Sequence, residues 1–358
     1  VTAKSDSMNA ESEGFTVIVE FERDDFFSPR ISASLNGKKV YDSGSSSWTD
    51  DVVQPHNRSW HSFTLHSNIE RWYPHGLGKP KLYKLWIEAR NDEGLSSWDG
   101  PVVLSSWEGE IGFRKVGLNQ AIDSSGQGFE VQINDKGIFL KGANMVPPSM
   151  LLPTAGDAAW VDAVAEMKRA RMNMVRVWAG GVYPPEAFLD ACDTAGILVW
   201  QDLMFANMVP AEGKFLENVR GEIRDVVARL LKHPSVVLFC GNNELNVAWR
   251  NWGWQERYDL HGDDSIRIEN MNDILFAEDF ANDLKQLSGN RIPYTPTSPL
   301  SNWGSAEGLE RGDLHYWGVW HGDSAFSSFK NNVGRFVSEY GFQSYPDSAL
   351  LSHYIDPK

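Results

Sequence analysis

Cysteine is scarce in this chain, with two among 358 residues, Cys192 and Cys240. Neither lies in a spacing typical of metal or redox sites, and both fall inside apolar segments. We therefore expect two reduced, buried thiols rather than a structural disulfide. Long hydrophobic runs are also missing. Because no stretch of about 18 consecutive apolar residues occurs, the sequence weighs against a transmembrane helix.

Basic residues are also few relative to acidic ones. The chain has 33 basic and 48 acidic residues, so its net charge is -15. No basic cluster stands out, which weighs against nucleic acid or an anionic membrane as a partner and is compatible with a neutral substrate. The chain has no His-Glu-x-x-His, Gly-x-Ser-x-Gly or P-loop motif, and its nine histidines form no compact group. We therefore expect no metal centre. No targeting signal can be read, so the sequence indicates no compartment.

Residues 1 to about 107 show the period-two alternation of half-buried β-strands. Alternating runs occur at Phe15–Phe21, Trp60–Leu65 and Leu82–Ala89. Asn36-Gly37 predicts a hairpin turn between two further short strands, Ile31–Leu35 and Lys39–Tyr41. Several short strands within about a hundred residues indicate a small antiparallel sandwich of the immunoglobulin type, which we assign to residues 1–107.

Residues 108–358 change to an alternation of strands and helices, after a connecting β segment at 111–135 with Gly126 and Gly128 in a turn. Seven strands are predicted, at Gly137–Lys141, Val175–Trp178, Ile197–Gln201, Val236–Cys240, Ile292–Thr295, Leu314–Trp317 and Arg335–Ser338. Helices are expected from an N-cap at Asp157, between Pro184-Pro185 and Gly196, and through the apolar spacing of Leu216 to Leu230. Because no Gly-x-Gly-x-x-Gly follows a strand, the pattern favours a (β/α)₈ TIM barrel over a doubly wound nucleotide fold, truncated after strand seven. The predicted fold is thus a multidomain α and β protein.

Two glutamates carry the main functional prediction. Glu244 and Glu339 each follow a buried apolar run, at the predicted ends of strands four and seven. Strand ends line the active site of a barrel, so the two carboxylates should face each other across one pocket. Two such carboxylates are the minimum equipment for cleaving a glycosidic bond. Each glutamate taken alone is equally compatible with a solvated surface charge.

A retaining glycosidase needs one protonated and one ionised carboxyl group. Burial and a neighbouring anion raise the pKa of the acid, whereas the nucleophile needs a cation or donors beside it. Arg176, on the second strand, is the candidate for that cation, and the amide of Asn243 is a candidate for holding a sugar hydroxyl. Asp202 either accepts bonds from sugar hydroxyls or caps the following loop. His315 and Tyr316 are candidates for bonding the nucleophile.

Tryptophan is abundant, with 15 in 358 residues. Many lie at predicted strand ends or in the loops that follow, where indole faces could pack against sugar rings while core packing remains the alternative for each. The candidates for substrate binding are Trp178, Trp249, Trp252, Trp303 and Trp317. Trp249 and Trp252 follow Glu244 within ten residues, which strengthens their case.

Several motifs together resemble the β-mannosidases of glycoside hydrolase family 2. They are Phe239-Cys240-Gly241-Asn242-Asn243-Glu244, Val337-Ser338-Glu339-Tyr340-Gly341-Phe342-Gln343-Ser344, Val175-Arg176-Val177-Trp178-Ala179-Gly180-Gly181, Val199-Trp200-Gln201-Asp202 and Lys141-Gly142-Ala143-Asn144. The segment Arg71–Tyr83 is similar to the end of the family's immunoglobulin-like domain. The resemblance covers almost the whole chain, and the doubled Asn before Glu244 is typical of the mannosidase branch.

The resemblance implies a retaining exo-hydrolase that removes terminal β-D-mannose from the non-reducing ends of oligosaccharides, with no cofactor. It implies that Glu244 is the acid/base and Glu339 the nucleophile. By the same resemblance, Asn243 pairs with the acid/base, Arg176 lies near the nucleophile, and Trp178 and Asp202 hold sugar-site positions. Mannose-terminated oligosaccharides are the expected partner, with neither nucleic acid nor membrane.

The chain departs from the family pattern at both ends. It has no counterpart of the family's N-terminal jelly-roll domain, of the eighth barrel strand or of the C-terminal β domains. We therefore expect an internal fragment that needs these missing N- and C-terminal domains and is by itself a poor catalyst, because an open barrel exposes a sheet edge. Turnover of p-nitrophenyl β-mannoside by the isolated chain tests this expectation. The alternatives are another family 2 glycosidase (an endo-β-mannosidase, β-galactosidase or exo-glucosaminidase) or a non-catalytic carbohydrate-binding fragment.

Overall fold

The computed structural model describes residues 2–8, 15–22, 29–43, 58–65, 69–92, 100–207, 213–302 and 305–355. The first region consists of seven antiparallel strands in two sheets, ordered β1-β2-β5 and β4-β3-β6-β7. These strands are β1 Thr2–Met8, β2 Phe15–Glu22, β3 Arg30–Leu35, β4 Lys38–Asp42, β5 Arg58–Leu65, β6 Tyr83–Asn91 and β7 Val102–Ile111. Alternate side chains of both sheets, among them Val17 and Ile87, are buried in one shared core. The predicted period-two strands are confirmed.

The turn between β3 and β4 shows how closely local sequence can specify structure. Asn36 and Gly37 have φ values of 49° and 78°, the left-handed pair that a two-residue type I′ hairpin turn requires. Lys84 N donates to Asn36 Oδ1 at 2.9 Å, which ties the turn to β6. The predicted hairpin is confirmed.

A connecting region of short antiparallel strands follows. These are β8 Val116–Asn119, β9 Ile122–Asp123, β10 Gly126–Gln127, β11 Glu130–Ile133 and β12 Lys136–Gly137. The predicted β character of this region is confirmed, although Gly126 belongs to a strand rather than to a turn.

Parallel strands alternating with helices make up the rest of the described chain. The strands are β13 Gly142–Met145, β14 Met174–Val177, β15 Leu198–Asp202, β16 Val236–Cys240, β17 Tyr294–Thr295, β18 Ser301–Asn302, β19 Asp313–Tyr316 and β20 Phe336–Tyr340. The helices are α1 Asp157–Arg169, α2 Glu186–Ala195, α3 Lys214–Leu230, α4 Leu245–Asn251, α5 Trp254–Arg257, α6 Asp263–Asp273, α7 Phe280–Ser288 and α8 Ser348–Tyr354. Strands β13 to β17 form one parallel sheet and β18 to β20 another. The molecule is a multidomain α and β fold.

The central strands have the burial that their apolar runs predict. Every residue of β14, β15 and β16 is buried, as expected for strands covered on both faces. Cys192 and Cys240 are free and buried, so the prediction of two reduced core thiols is confirmed. Helix α2 ends at Gly196, whose φ of 76° gives the left-handed C-cap that glycine favours. Within the described ranges, no helix has the length and apolarity needed to span a membrane.

The first parallel strand is misplaced in the sequence prediction. Gly137–Lys141 is not that strand, because β12 ends at Gly137 and pairs antiparallel with β11. The Asn173 side chain accepts from Lys141 N and donates to Phe139 O, while Ile138 N donates to Val131 O and Lys141 O accepts from Asn173 N. This stretch thus bonds to β11 at one end and to the chain before β14 at the other, and it forms no parallel strand of its own. The parallel strand begins at Gly142. Similarly, the N-cap of α1 is Gly156, and Asp157 is the first helical residue, where its charge still favours the helix dipole.

Two buried side chains join the antiparallel region to the parallel one. Trp72 Nε1 donates to the Asp193 carbonyl at 2.9 Å. Arg114 donates to the carbonyls of Pro234 and Val236 at 2.8 Å and 2.7 Å. These bonds satisfy carbonyl groups near α2 and β16 that are buried away from water. They therefore hold this part of the chain against the antiparallel region.

A buried histidine beside this junction makes stability depend on pH. His233 Nδ1 lies 2.7 Å from Asp193 Oδ2, and its Nε2 lies 3.2 Å from Glu186 Oε2. Burial lowers the pKa of His233, but the bonds to Asp193 and Glu186 raise it by more, to about 9. A folded pKa above the ordinary value means that the protonated ring stabilises the fold. This stabilisation is complete below about pH 6.5 and is lost as the pH rises through about 9.

We expect His233→Gln to lower the free energy of unfolding by up to about 3 kcal/mol at pH 6 and by much less at pH 10. Urea unfolding of parent and variant at both pH values measures this difference. The same substitution at His261, which is exposed, is the control. A cost at His233 that stays constant between pH 6 and pH 10 would contradict the prediction.

Candidate active site

The two predicted glutamates lie together. Glu244 comes just before α4, and Glu339 lies in β20, on strands far apart in sequence. His315 of β19 stands between them, with Nδ1 2.7 Å from Glu244 Oε1 and 3.4 Å from Glu339 Oε2. One carboxylate oxygen of each glutamate lies within 4.8 Å of the other. The carboxyl ends of parallel strands therefore bring these side chains to one place, as expected.

The backbone at Glu244 is in an uncommon conformation. Its φ of 60° and ψ of 7° are left-handed, which a residue with a Cβ adopts at a cost. Glu244 N donates to Ser298 O at 2.8 Å, and Ala248 N donates to Glu244 O at 2.7 Å. These bonds keep the carboxyl group turned toward His315 while α4 begins.

Arg176 is the cation of the site, with only 4% of its surface exposed. Its guanidinium donates to Glu339 Oε1 at 2.7 Å, to Asp202 Oδ2 at 2.8 Å and to Asn243 Oδ1 at 2.9 Å. Burial lowers the pKa of Arg176, but the charges of Asp202 and Glu339 raise it by more, so the net shift is upward. The guanidinium therefore stays charged and is the cation that bonds Glu339. The sequence prediction placed this arginine beside the same glutamate.

Asp202 has a different position from that expected of a sugar contact. It is fully buried, and both of its oxygens accept from Arg176, at 3.2 Å and 2.8 Å. Ala179 N and Trp200 Nε1 also donate to it, at 3.1 Å and 2.9 Å. Its acceptor capacity is thus used inside the protein, because β15 places this side chain behind the guanidinium. Asp202 therefore orients Arg176, and a contact between Asp202 and a sugar stays a prediction.

The proton states of Glu244 and His315 follow from burial. Burial raises the pKa of Glu244, although Arg176, the Asn243 amide and His321 each oppose the rise. Burial lowers the pKa of His315 to about 4, and Arg176 lowers it further while Glu339 and Asp313 oppose. At neutral pH the His315 ring is therefore uncharged. The raised pKa of Glu244 favours the protonated form of its carboxyl group.

Three of the predicted aromatic residues keep exposed surface near strand ends. Trp317 is half-buried and donates from Nε1 to Glu339 Oε2 at 3.2 Å. Trp178 is half-buried two residues beyond Arg176, and Trp252 is 46% exposed at the end of α4. Asn243 is buried between Glu244 and Arg176. These four side chains remain candidates for binding a substrate.

Two of the other predicted contacts, Trp249 and Tyr316, are not brought to the site. Trp249 is 3% exposed and packs in the large core cluster, because it faces inward from α4. Tyr316 follows His315 on β19 and so points to the opposite face, where its ring meets Phe329 and its hydroxyl accepts from Asn332. Trp303 lies outside the described residues.

A cleft of about 470 Å³ opens between β13 and β20. Its lining includes Arg176, Trp317 and Glu339, but not Glu244. Asn144, at the β13 side of the cleft, donates to the carbonyl of Ser338 at 3.2 Å. Glu339 and the indole that bonds it therefore line this cleft.

Sequence reasoning missed the polar residues beneath the glutamates. Asp313 is fully buried and accepts from the hydroxyls of Ser298 and Ser338, each at 2.6 Å. Ser298 also lies 3.0 Å from His315 Nε2. A signal did exist, since Asp313 and His315 are two apart in a strand and must share one face.

Two groups of the described residues each bring three potential metal-ligand atoms within 4.8 Å of one another. They are Glu244, His315 and Glu339, and Asp190, Asp193 and His233. In the first group Glu339 already pairs with Arg176, and in the second the protonated His233 supplies the positive charge. We assign no metal to either group.

A pair of carboxyl groups this close, one paired with an arginine and the other inclined to hold a proton, has the equipment of a glycoside hydrolase. Comparison with known proteins finds relatives that are glycoside hydrolases. Beta-mannosidase B of Aspergillus flavus is 28% identical over 365 residues, covering 99% of this chain and 40% of that protein. Beta-mannosidase B of Thermothelomyces thermophilus is 32% identical over 296 residues, covering 79% and 33% respectively. No family model matches the sequence.

Solved structures of glycoside hydrolases are similar to this chain as well. A crystal structure of a beta-D-mannosidase from Dictyoglomus thermophilum matches with a TM-score of 0.79 and 28% identity, over 99% of this chain and 41% of that one. A beta-glucuronidase from Parabacteroides merdae shares the fold, with a TM-score of 0.62 and 17% identity over 92% and 38%. This chain is related to the β-mannosidases, a group of glycoside hydrolases, along almost its whole length. It spans about two fifths of the length of the first curated relative.

Proposed function

We propose that the protein containing this chain is a retaining exo-β-mannosidase that removes terminal β-D-mannose from the non-reducing ends of oligosaccharides. The observation that carries the proposal is the pairing of Glu244 and Glu339, whose nearest ligand oxygens lie within 4.8 Å. Retaining enzymes hold their carboxyl groups about 5–5.5 Å apart, and inverting ones about 6.5–9.5 Å. The relationship to β-mannosidases supports mannose as the sugar.

Each glutamate takes the role that its surroundings favour. Glu339, which accepts a hydrogen bond from Arg176, attacks the anomeric carbon as the bond to the leaving oxygen breaks, and Glu244 gives its proton to that oxygen. Glu244, now a carboxylate, then takes a proton from water. The resulting hydroxide displaces Glu339 from the anomeric carbon and releases mannose with its original configuration.

The finer architecture is part of the same proposal. We assign residues 1–107, which contain the two antiparallel sheets except for the end of β7, to an immunoglobulin-like domain. Residues 108–358 are assigned to a (β/α)₈ glycosidase barrel, with the site at the carboxyl ends of its strands. The parallel pairing of β13 to β17 and of β18 to β20 supports this assignment.

A panel of substrates tests the proposed sugar. The full-length protein should hydrolyse p-nitrophenyl β-mannoside and a mannose-terminated oligosaccharide faster than the matching β-galactoside, β-glucuronide and β-glucosaminide. Preference for one of these other sugars would replace mannose with a different family 2 specificity. Release of internal fragments instead of mannose would indicate an endo-enzyme. A non-catalytic scaffold would be expected to hold its carboxyl groups beyond about 6 Å, unlike this pair.

The effect of Glu244→Ala should depend on the leaving group of the substrate if Glu244 is the general acid. A poor leaving group, such as a sugar, needs the proton, so we expect kcat/KM for an oligosaccharide to fall by about 10²- to 10⁴-fold. A dinitrophenyl mannoside needs little protonation and should still form the covalent intermediate rapidly. Stopped-flow measurement of the dinitrophenol burst, beside steady-state rates, makes the comparison. Equal losses for both substrates would remove Glu244 from the acid role.

A further inference from the structure

A buried chain of polar groups leads away from Glu244 to a residue that no sequence motif singled out. Asp313 begins β19 and has no exposed surface. Its Oδ2 lies 2.6 Å from the hydroxyls of both Ser298 and Ser338, and its Oδ1 accepts from Leu300 N at 2.8 Å. All three partners donate to Asp313, so its carboxyl group is the acceptor in each of these contacts.

The direction of these bonds determines the proton of Ser298. Ser298 Oγ lies 2.6 Å from Asp313 Oδ2, an oxygen that also accepts from the Ser338 hydroxyl, and a bond this short between a hydroxyl and a carboxyl oxygen contains the hydroxyl proton. Ser298 therefore donates its single proton to Asp313. Its remaining lone pairs face His315 Nε2 at 3.0 Å. For that contact to be a hydrogen bond, Nε2 must carry the ring proton.

The other ring nitrogen is then an acceptor. His315 is uncharged, since burial lowers its pKa to about 4, and a neutral ring holds one proton. With the proton on Nε2, the lone pair of Nδ1 points at Glu244 Oε1, 2.7 Å away. A hydrogen bond at this distance requires the proton to come from Glu244.

Arg176 offers the opposite arrangement. Its Nη1 lies 3.4 Å from His315 Nε2 and can only donate. If that contact prevailed, the ring proton would sit on Nδ1 and would stabilise ionised Glu244. Ser298 is closer to Nε2 than Arg176 is, and its hydroxyl is directed by Asp313.

We propose that Asp313, acting through Ser298, holds His315 in its Nε2-protonated form and thereby keeps Glu244 protonated and ready to act as the acid. The inference rests on the proposed function, because it presumes that Glu244 is the general acid. Asp313, Ser298 and His315 are positioning residues, since none of them needs to touch the substrate.

Other charged groups also face Glu244 and act on it independently. They are Arg176 of β14, Glu339 of β20 and His321 of the loop after β19, besides the neighbouring Asn243 amide. None of them is bonded to Ser298 by a side-chain contact in the described chain except through His315. A change at Ser298 therefore isolates the His315 tautomer.

The test is the pH dependence of kcat/KM for β-mannoside hydrolysis by the full-length protein. In Ser298→Ala, Nε2 loses its acceptor and takes the contact from Arg176, so Nδ1–H now donates to Glu244. We expect the alkaline limb of the profile, which reports loss of the acid's proton, to move down by about 1 pH unit. The acidic limb should move less, because Nδ1 lies 3.4 Å from Glu339 Oε2 but 2.7 Å from Glu244 Oε1. Ser298→Thr keeps the hydroxyl and should restore the parent profile.

Ser301→Ala is the matched control. Ser301 is also buried, and its hydroxyl donates to the carbonyls of Arg311 and Asp313, but it does not contact His315. Its removal should leave both limbs unchanged. An unshifted alkaline limb in an active Ser298→Ala variant overturns the inference, and so does an upward shift.

A second measurement does not depend on any variant folding. The ¹⁵N shifts of the His315 ring in the unsubstituted protein, read after selective labelling, distinguish Nε2–H from Nδ1–H. A proton on Nδ1 overturns the inference. If the unsubstituted protein releases no mannose at all, the proposed function fails instead, so the two failures are distinguishable.

Discussion

Replacing Glu339 with alanine is expected to lower kcat/KM for β-mannosides by a factor on the order of 10⁴ to 10⁶. Losses of this size occur when other enzymes that form covalent intermediates lose their nucleophile. Glu339 has the surroundings of a nucleophile, since Arg176 bonds one carboxylate oxygen at 2.7 Å and Trp317 bonds the other at 3.2 Å. The full-length protein and an aryl β-mannoside are the system to measure.

Rescue by a small anion separates loss of the nucleophile from loss of the fold. Azide or formate can occupy the space left by the carboxylate, so either should partly restore turnover, and azide should give a mannosyl azide of inverted configuration. Glu307→Ala, at an exposed position, is the matched control and should leave the rate unchanged. A small loss without rescue would remove Glu339 from the nucleophile role.

Arg176→Ala is expected to have the largest effect on stability. The substitution leaves Asp202 and Glu339 buried without their cation, and such loss of one partner costs about 3–5 kcal/mol. Activity should fall as well, because Glu339 would lose the guanidinium that bonds its Oε1. Urea unfolding followed by tryptophan fluorescence measures the first effect, and kcat measures the second.

Arg250→Ala is the matched control for this prediction. Arg250 is an exposed arginine 3.9 Å from Glu269, and an exposed pair of this kind contributes about 0–1 kcal/mol. The two substitutions remove the same side chain, so the difference between them measures the buried network. Equal costs at the two positions would contradict the buried role of Arg176.

The local sequence pattern was sufficient to predict elements whose structure depends on neighbouring residues alone. The apolar runs of β14 to β16 and the Asn36-Gly37 turn were predictable, because periodicity and left-handed backbone preference act within a few residues. Prediction failed at Gly137–Lys141, where the Asn173 side chain, 32 residues from Lys141, bonds the backbone of Phe139 and Lys141. A partner that distant leaves no mark on local periodicity.

The aromatic residues after Glu244 also show the difference between what the sequence supports and what packing decides. Trp249 and Trp252 are three apart and equally rich in apolar surface, so the sequence supports both as sugar contacts. Packing of α4 turns Trp249 into the core and leaves Trp252 46% exposed. Likewise Asp202 could not be told from a sugar contact before β15 placed it behind Arg176.

The sequence by itself determined the chemistry available at this site, namely two glutamates, an arginine and an amide at strand ends. It could do so because strand periodicity shows which side chains share a face and because parallel strands end at one edge. Only the tertiary structure decided which of these groups share a hydrogen bond. Glu244 and His315 are 71 residues apart and meet at 2.7 Å, and Asp313 reaches them through the hydroxyl of Ser298. Contacts of this kind depend on distances between strands that are far apart in sequence, and those distances are a property of packing.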